Sequence, residues 1–406
     1  MNPAPAPAAG PVPRFWTLDA LRGLCALVVF LSHWHLWSDF APQGRVEQGI
    51  HATLAWCNNS FNLLAWPTGG NHPAVICFFV LSGFCIHYPF ERRVRAGSTA
   101  LDWREHYRRR FWRIMPVYWG AALLGLGLVA AEASHRSGNP LLALHSLASA
   151  DEIAARLLGV YGIYPREILA GNYPLNTVAV EMVIYAVYPW FHFQAVRDRW
   201  CALGATFIGL QFAGLALLAW ITPFWVFNSV LMLGVFWYAG AFAARVFVVG
   251  GTRSYARELL LAWLVFLALK AIPHFYGLNV LKQNAWGFVC TFGLLQCLHL
   301  EQARPAAAAR PGSMALRYVG EVSYSLYVVH APAIMLASWL LLRLGSANYL
   351  VQLTTTLTLS LAATVAMHYG VERIFYRPRA GRHSTVNNPS SATAPTAQPA
   401  PNHRER

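Results

Sequence analysis

Charge is the scarcest property of this 406-residue chain: Asp, Glu, Lys and Arg together fill only 12% of positions, against about a quarter in soluble globular domains. Lysine is nearly absent, with Lys270 and Lys282 the only two. So low a charge density excludes an ordinary soluble enzyme and a disordered, highly charged binder. Metal-binding patterns are missing too. None of the seven cysteines stands in a CxxC or Cys/His spacing. Cys25, Cys77, Cys85, Cys201, Cys290 and Cys297 sit in apolar runs and read as small apolar residues, with Cys57 in a loop. No metal is expected. The start lacks a basic stretch leading into a short apolar core, so no cleavable signal peptide is expected. No internal repeat of the transporter kind is visible.

What the chain has in excess is hydrophobic length. Apolar residues make up 56% of positions and cluster in runs of about 20, long enough to cross roughly 30 Å of hydrocarbon. The pattern predicts an all-α, polytopic membrane bundle of ten transmembrane helices, over residues 20–38, 73–90, 112–131, 176–195, 201–221, 224–249, 258–273, 284–301, 320–342 and 350–372. Residues 1–14 and 379–406 read as disordered tails rich in Pro, Ala, Ser and Asn, flanking one membrane domain over 15–378. The net charge of +14 does not point to nucleic acid. Its basic residues flank apolar runs instead of covering one soluble face. With both termini cytoplasmic, only Arg45, Arg136, Arg156, Arg166, Lys270, Lys282 and Arg343 fall outside, leaving 24 of the 31 basic residues inside. Two long outer loops are expected, 39–72 and 132–175, the second carrying LLGVYGIYP, aromatic enough for the interface. Long loops on one face often carry binding.

Ionisable groups at membrane depth are costly and are functional candidates by default. The first helix reads LDALRGLCALVVFLSHWHLW. Its Arg22 and His33 lie 11 positions apart, so they nearly share a face, about 16 Å apart along the axis. An anionic group entering from the cytoplasm can meet Arg22 while its reactive end reaches His33. The competing reading is an arginine snorkelling to lipid phosphates and a helix-packing imidazole. Asp19 and His35 flank this pair as supporting candidates, with His35 on another face. Ser82-Gly83 in the second helix reads mainly as a close-packing pair, Ser82 remaining a supporting candidate. His87 is expected at the interface. Arg110 and Arg113, spaced i, i+3 at the start of the third helix, can clamp a phosphate or simply contact lipid headgroups. Glu181 is the only acidic residue of the fourth helix, with Tyr185 one turn on. It can orient an imidazole or accept a bond from a sugar hydroxyl. Tyr324, Tyr327 and His330 line the ninth helix, His330 at a depth comparable to His33. Glu372 is expected to pair with a nearby arginine.

Taken in order, LDALRGLCALVVFLSHW, FFVLSGFCI, RRFWRIMPVYW, NYPLNTVAVEMVIYAVYP, GEVSYSLYVVHAP and VERIFYRP resemble the acyltransferase 3 family of membrane acyltransferases, over residues 15–378. The resemblance implies a ten-helix fold that uses cytoplasmic acyl-CoA, acetyl-CoA in particular, to acylate glycans, lipids or antibiotics. The family's Arg-x10-His pattern falls on Arg22 and His33, its Arg-x-x-Arg on Arg110 and Arg113, and its Glu on Glu181. Where the family often has Trp-Ser-Leu before that Glu, this chain has Asn176-Thr177-Val178, keeping the hydroxyl but not the Trp. No appended esterase-like domain is expected.

The expectation is therefore O-acylation, O-acetylation first, of a polysaccharide or its lipid-linked precursor in a bacterial inner membrane. Arg22, Arg110 and Arg113 hold the acyl-CoA phosphates, His33 and Glu181 are catalytic, and Asp19, His35, Ser82, Tyr185, Tyr324 and His330 support them. An acyl-His intermediate stays open beside direct attack. So does a transporter that carries a glycan or small molecule without acyl transfer, since intramembrane charges suit both.

Overall fold

The computed structural model describes residues 15–36, 41–65, 72–137, 149–160, 163, 172–251, 253–273, 276–304, 311–345 and 348–375. Among these the chain is helical, with no strand. Each of the ten predicted segments falls on a helix: α1 (Trp16–Leu36), α3 (Pro73–Arg95), α4 (Trp103–Ser137), α6 (Leu175–Val196), α7 (Trp200–Leu217), α9 (Val230–Gly250), α10 (Ala256–Lys270), α11 (Tyr276–Ala303), α12 (Pro311–Arg343) and α13 (Tyr349–Met367). Seven helices among the described residues are long and apolar enough to cross a membrane. The helices outside that set are α6, with Asn, Tyr, Trp and Pro diluting its apolar residues, α10, which has only 15 residues, and α11, interrupted by Asn279, Lys282, Gln283 and Asn284. The tails 1–14 and 379–406 lie outside the described residues.

The two predicted outer loops contain helices of their own. Residues 44–65 form α2 (Gly44–Ala65), so Cys57 is helical. Residues 150–158 form α5 (Ala150–Leu158), and α4 runs on to Ser137. A polar helix lying on a bundle carries no run of apolar residues, which is why length-based reading sees a loop. Helix α5 starts where Glu152 accepts from the Ser149 amide at 2.9 Å and stops at Gly159, whose φ of 68° is the left-handed conformation that glycine adopts without strain. The short helix α8 (Pro223–Phe227) leads into α9. The basic block from Arg104 to Arg113 is also helical, because α4 begins at Trp103.

Two helix pairs form the frame. Helices α1 and α12 cross through glycines: a Cβ on Gly23 would stand 2.6 Å from the Gly320 nitrogen, and one on Gly320 would strike the Asp19 carbonyl. Helices α3 and α9 do the same, with Gly83 against the Trp237 carbonyl and Gly240 against the Val80 carbonyl. Such contacts are how helices associate where lipid is as apolar as the side chains. The expected packing role of Gly83 is thus observed. The start of α1 is tied down separately. Glu301 of α11 accepts from the Trp16 and Thr17 amides at 2.9 and 3.1 Å, satisfying helix-end donors that hydrocarbon cannot.

Two side-chain expectations are corrected. His87 is not interfacial but 1% exposed, bonded to Tyr188 Oη at 3.1 Å and to Glu91 at 3.1 Å, because Phe191 and Trp200 pack around its ring. Glu372 meets no arginine among its recorded partners. It accepts from Ser325 Oγ at 2.7 Å and lies 2.9 Å from His368 Nδ1, brought inward by a π-helical turn over His368–Glu372. Ser82 does more than pack, as described next.

Candidate active site

Helices α1, α3, α4, α6 and α12 surround a cavity. Arg22, Arg110 and Arg113, spread over two helices, all line it. Arg22 is 3.6 Å from Asp19 Oδ1, one turn earlier, and donates to Cys85 Sγ at 3.5 Å. Arg110 lies over the Tyr185 ring at 5.6 Å, a cation–π contact that orients the guanidinium. The i, i+3 spacing on α4 does place Arg110 and Arg113 on one face, toward the cavity.

Glu181, Ser82, Tyr185 and Tyr324 line the same space. Ser82 Oγ and Tyr185 Oη are 2.8 Å apart, beside Glu181 on the cavity wall. Tyr324 donates to the Ile114 carbonyl at 2.9 Å. Glu181 therefore belongs to the arginine-lined cavity, with hydroxyls contributed by α3 and α6 on the same wall.

The far end of the cavity is Phe78, Thr177 and Tyr327. Thr177 Oγ1 and Tyr327 Oη are 2.5 Å apart, and the Phe78 and Tyr327 rings meet edge to face. One turn beyond them on α12 stands His330, its ring centroid 5.9 Å from that of Tyr327. His33 is stacked on His330, with centroids 5.1 Å apart and planes 15° from parallel. The imidazole that the sequence places at the end of the cavity thus lies one layer past it, behind the Thr177–Tyr327 pair.

The hydrogen bonds of that layer fix which nitrogen carries a proton. His330 Nδ1 is 3.2 Å from the Leu326 carbonyl. A carbonyl only accepts, so this nitrogen carries the hydrogen. In a neutral ring the other nitrogen, Nε2, is then a bare acceptor, and His33 Nδ1 lies 2.9 Å from it. His33 must donate through Nδ1, which makes its Nε2 an acceptor. Tyr173 Oη is 2.9 Å from that nitrogen and donates to it. The chain Leu326 carbonyl, His330, His33 aims one basic nitrogen at a hydroxyl, as the oriented base of a catalytic triad is aimed. The partners that orient His33 here are thus His330 and Tyr173, and Glu181 stands in the cavity below.

His72, just ahead of the α3 span, closes the layer from the side, its ring 6.4 Å from His33. It accepts from the Ala74 amide through Nδ1 at 3.1 Å, capping α3, and reaches Ser32 Oγ through Nε2 at 3.2 Å. Burial, and secondarily His330, lowers it to about 3, which keeps this ring neutral near physiological pH.

Of the residues singled out in the sequence, Arg22, Arg110, Arg113, Glu181, Ser82, Tyr185 and Tyr324 share the cavity, Asp19 supports Arg22, and His33 with His330 forms the layer beyond. The His35 side chain lies outside the described residues. Sequence reading missed Tyr173 and His72. Both sit at helix starts, where only NYP and NHP mark a turn before a helix, and nothing in those tripeptides reports which way the ring points.

The fold and this site define a polytopic helical membrane protein with a half-buried, oriented imidazole next to an arginine-lined cavity. The model of the acyltransferase 3 family, described as an acyltransferase domain, matches residues 15–369, and the chain belongs to that family. No curated protein and no solved structure matches it significantly.

Proposed function

We propose that this protein moves an acetyl group from cytoplasmic acetyl-CoA to a hydroxyl of a glycan or lipid-linked glycan precursor in a bacterial inner membrane. Ten spans with both termini cytoplasmic accompany this reading. One observation carries it: three arginines and a tautomer-fixed base stand at opposite ends of one helix-lined column. The phosphates of the donor meet Arg22, Arg110 and Arg113 as charge-assisted pairs. The pantetheine arm follows the cavity, and the thioester passes the Thr177–Tyr327 pair to reach His33.

The acceptor hydroxyl takes the bond that Tyr173 now makes. His33 Nε2 removes its proton, the oxygen attacks the thioester carbonyl, and the C–S bond breaks. The CoA thiolate recovers the proton from the His33 imidazolium, so the ring returns to its starting state. The ring stays oriented throughout through Nδ1–H. Glu181, with Ser82 and Tyr185, hydrogen-bonds the polar donor arm.

Purified protein in detergent, given acetyl-CoA and a simple glycoside such as methyl glucoside as acceptor, should release free CoA thiol. His33→Ala at near wild-type turnover would refute the assignment of the base. A transporter would show no thiol release in detergent, where no sealed compartment exists. On cells, deletion of the gene should remove one acetyl mass increment from a surface glycan.

A further inference from the structure

Tyr173 precedes α6, yet its hydroxyl must meet His33 Nε2 within hydrogen-bond range. The residues that hold it there come from the outer segment between α4 and α6, which sequence patterning assigns to a loop. Arg156, in the last turn of α5, is 2% exposed and donates through Nη1 to the Asn172 carbonyl at 2.6 Å. Its own carbonyl accepts from Tyr118 at 2.6 Å, and the neighbouring Leu157 carbonyl accepts from Trp119 at 2.8 Å. Helix α5 is thereby fastened to α4. Asn172 is also 2% exposed, and its Nδ2 donates to the Val328 carbonyl at 2.7 Å, with a longer 3.5 Å approach to the Ala121 carbonyl. Val328 lies two residues before His330. One side chain thus references the backbone bearing Tyr173 to the stretch of α12 bearing His330.

We propose that Arg156 and Asn172 are positioning residues for acyl transfer, holding Tyr173 beside the base so that, once the incoming hydroxyl has taken its place at His33 Nε2, the Tyr173 hydroxyl donates to the acceptor oxygen and fixes its position. The inference rests on the reading of His33 as the base. A buried guanidinium is costly unless its donors are used, and here one is spent on the peptide group next to Tyr173. Asn172 matches this, because a buried amide donor aimed at a carbonyl sets distance and angle together. Misplacement by about 1 Å is enough to cost on the order of a hundredfold in rate. Neither residue lines the cavity, so their loss should spare donor binding.

The test compares Asn172→Asp, which keeps the size but removes the donor, and Arg156→Gln, each alone and combined with Tyr173→Phe, in full-length protein. Turnover of acetyl-CoA with a simple glycoside acceptor should fall roughly ten- to a hundredfold, with KM for acetyl-CoA within about twofold, and Arg156→Lys should recover part of the loss. On the Tyr173→Phe background the same substitutions should add little, since all act through one contact. A full further drop there, unchanged kcat, or a raised KM would overturn the proposal. A second readout needs no turnover. In ¹⁵N-histidine-labelled protein, Asn172→Asp and Tyr173→Phe should shift the His33 Nε2 resonance in the same direction. A His33 resonance that moves with Tyr173→Phe and not with Asn172→Asp overturns the proposal, whatever the activity. A wild type inert toward acetyl-CoA with these resonance shifts intact would fault the acyl-transfer reading and leave the positioning role standing. If Asn172→Asp does not yield folded protein, Asn172→Ser and Arg156→Lys carry the same comparison.

Discussion

His330 Nε2 accepts from His33 Nδ1 at 2.9 Å, so a neutral imidazole stands where a triad has a carboxylate. A neutral orienter fixes the tautomer of the base without placing a second charge in the membrane. Removing it should disorder the base and leave the donor site untouched. His330→Ala is expected to lower kcat by about 10²–10⁴-fold. His330→Gln, whose amide oxygen can still accept from Nδ1–H, should lie between the two. Steady-state thiol release with acetyl-CoA measures both, and equal rates for Ala and Gln would exclude the tautomer argument.

The arginines should act on binding. Arg110→Ala or Arg113→Ala removes a charge-assisted bond of about 1.5–3 kcal/mol, raising KM for acetyl-CoA some ten- to a hundredfold. Lys at either position should recover the charge but not the planar fork. The penalty should shrink for a truncated thioester without the nucleotide phosphates, such as an acetylated pantetheine. A loss of the same size with that substrate would place these arginines elsewhere in the mechanism.

Between cavity and base stands the Thr177–Tyr327 bond. Tyr327→Phe removes one hydroxyl and at most about 0.5–1.5 kcal/mol of net stabilisation. Thermal unfolding in detergent should therefore change little. Turnover should be retained or rise, because the thioester must part this pair to reach His33. A loss comparable to His33→Ala would instead mean that the Tyr327 hydroxyl takes part in the chemistry.

The glycine crossings set the limit of tolerance. Gly320→Val pushes a side chain into the Asp19 backbone, and overpacking of this sort costs about 1–3 kcal/mol or more. The yield of monodisperse protein on size exclusion should collapse, and Gly83→Val should behave alike. Gly127→Ala is the control, since a Cβ there meets nothing within 4 Å.

The helices and the cavity charges were legible because membranes impose simple rules. Apolar length marks a span, and an arginine or glutamate within one must face the interior. Arg22, Arg110, Arg113 and Glu181 obey those rules and meet in one cavity. Other features obey no such rule. The α2 and α5 helices lie along the bundle surface, where neither length nor hydropathy marks them. Tyr173 and His72 reach the base from turns, and a turn's direction depends on what packs behind it, here Asn172 on Val328 and the α3 cap. Glu372 paired with His368 and Ser325 because a π turn rotated it inward, a local register change that a 3.6-residue repeat cannot anticipate. The pairing of His33 with His330 needed the α1–α12 crossing, which two single glycines in apolar context do not announce.

That crossing has a further consequence. Gly23 lies ten residues before His33, and Gly320 ten before His330, so the contacting glycines and the contacting imidazoles share one sequence offset of 297. The two helices run side by side as matched rulers, zeroed at the glycines and read about 15 Å higher at the rings. Deleting a single residue between Gly23 and His33 would turn the base by about 100° and lower it by about 1.5 Å, away from its partner. A matching deletion in α12 would carry His330 through the same turn. What the intervening residues specify for the chemistry is thus chiefly their number.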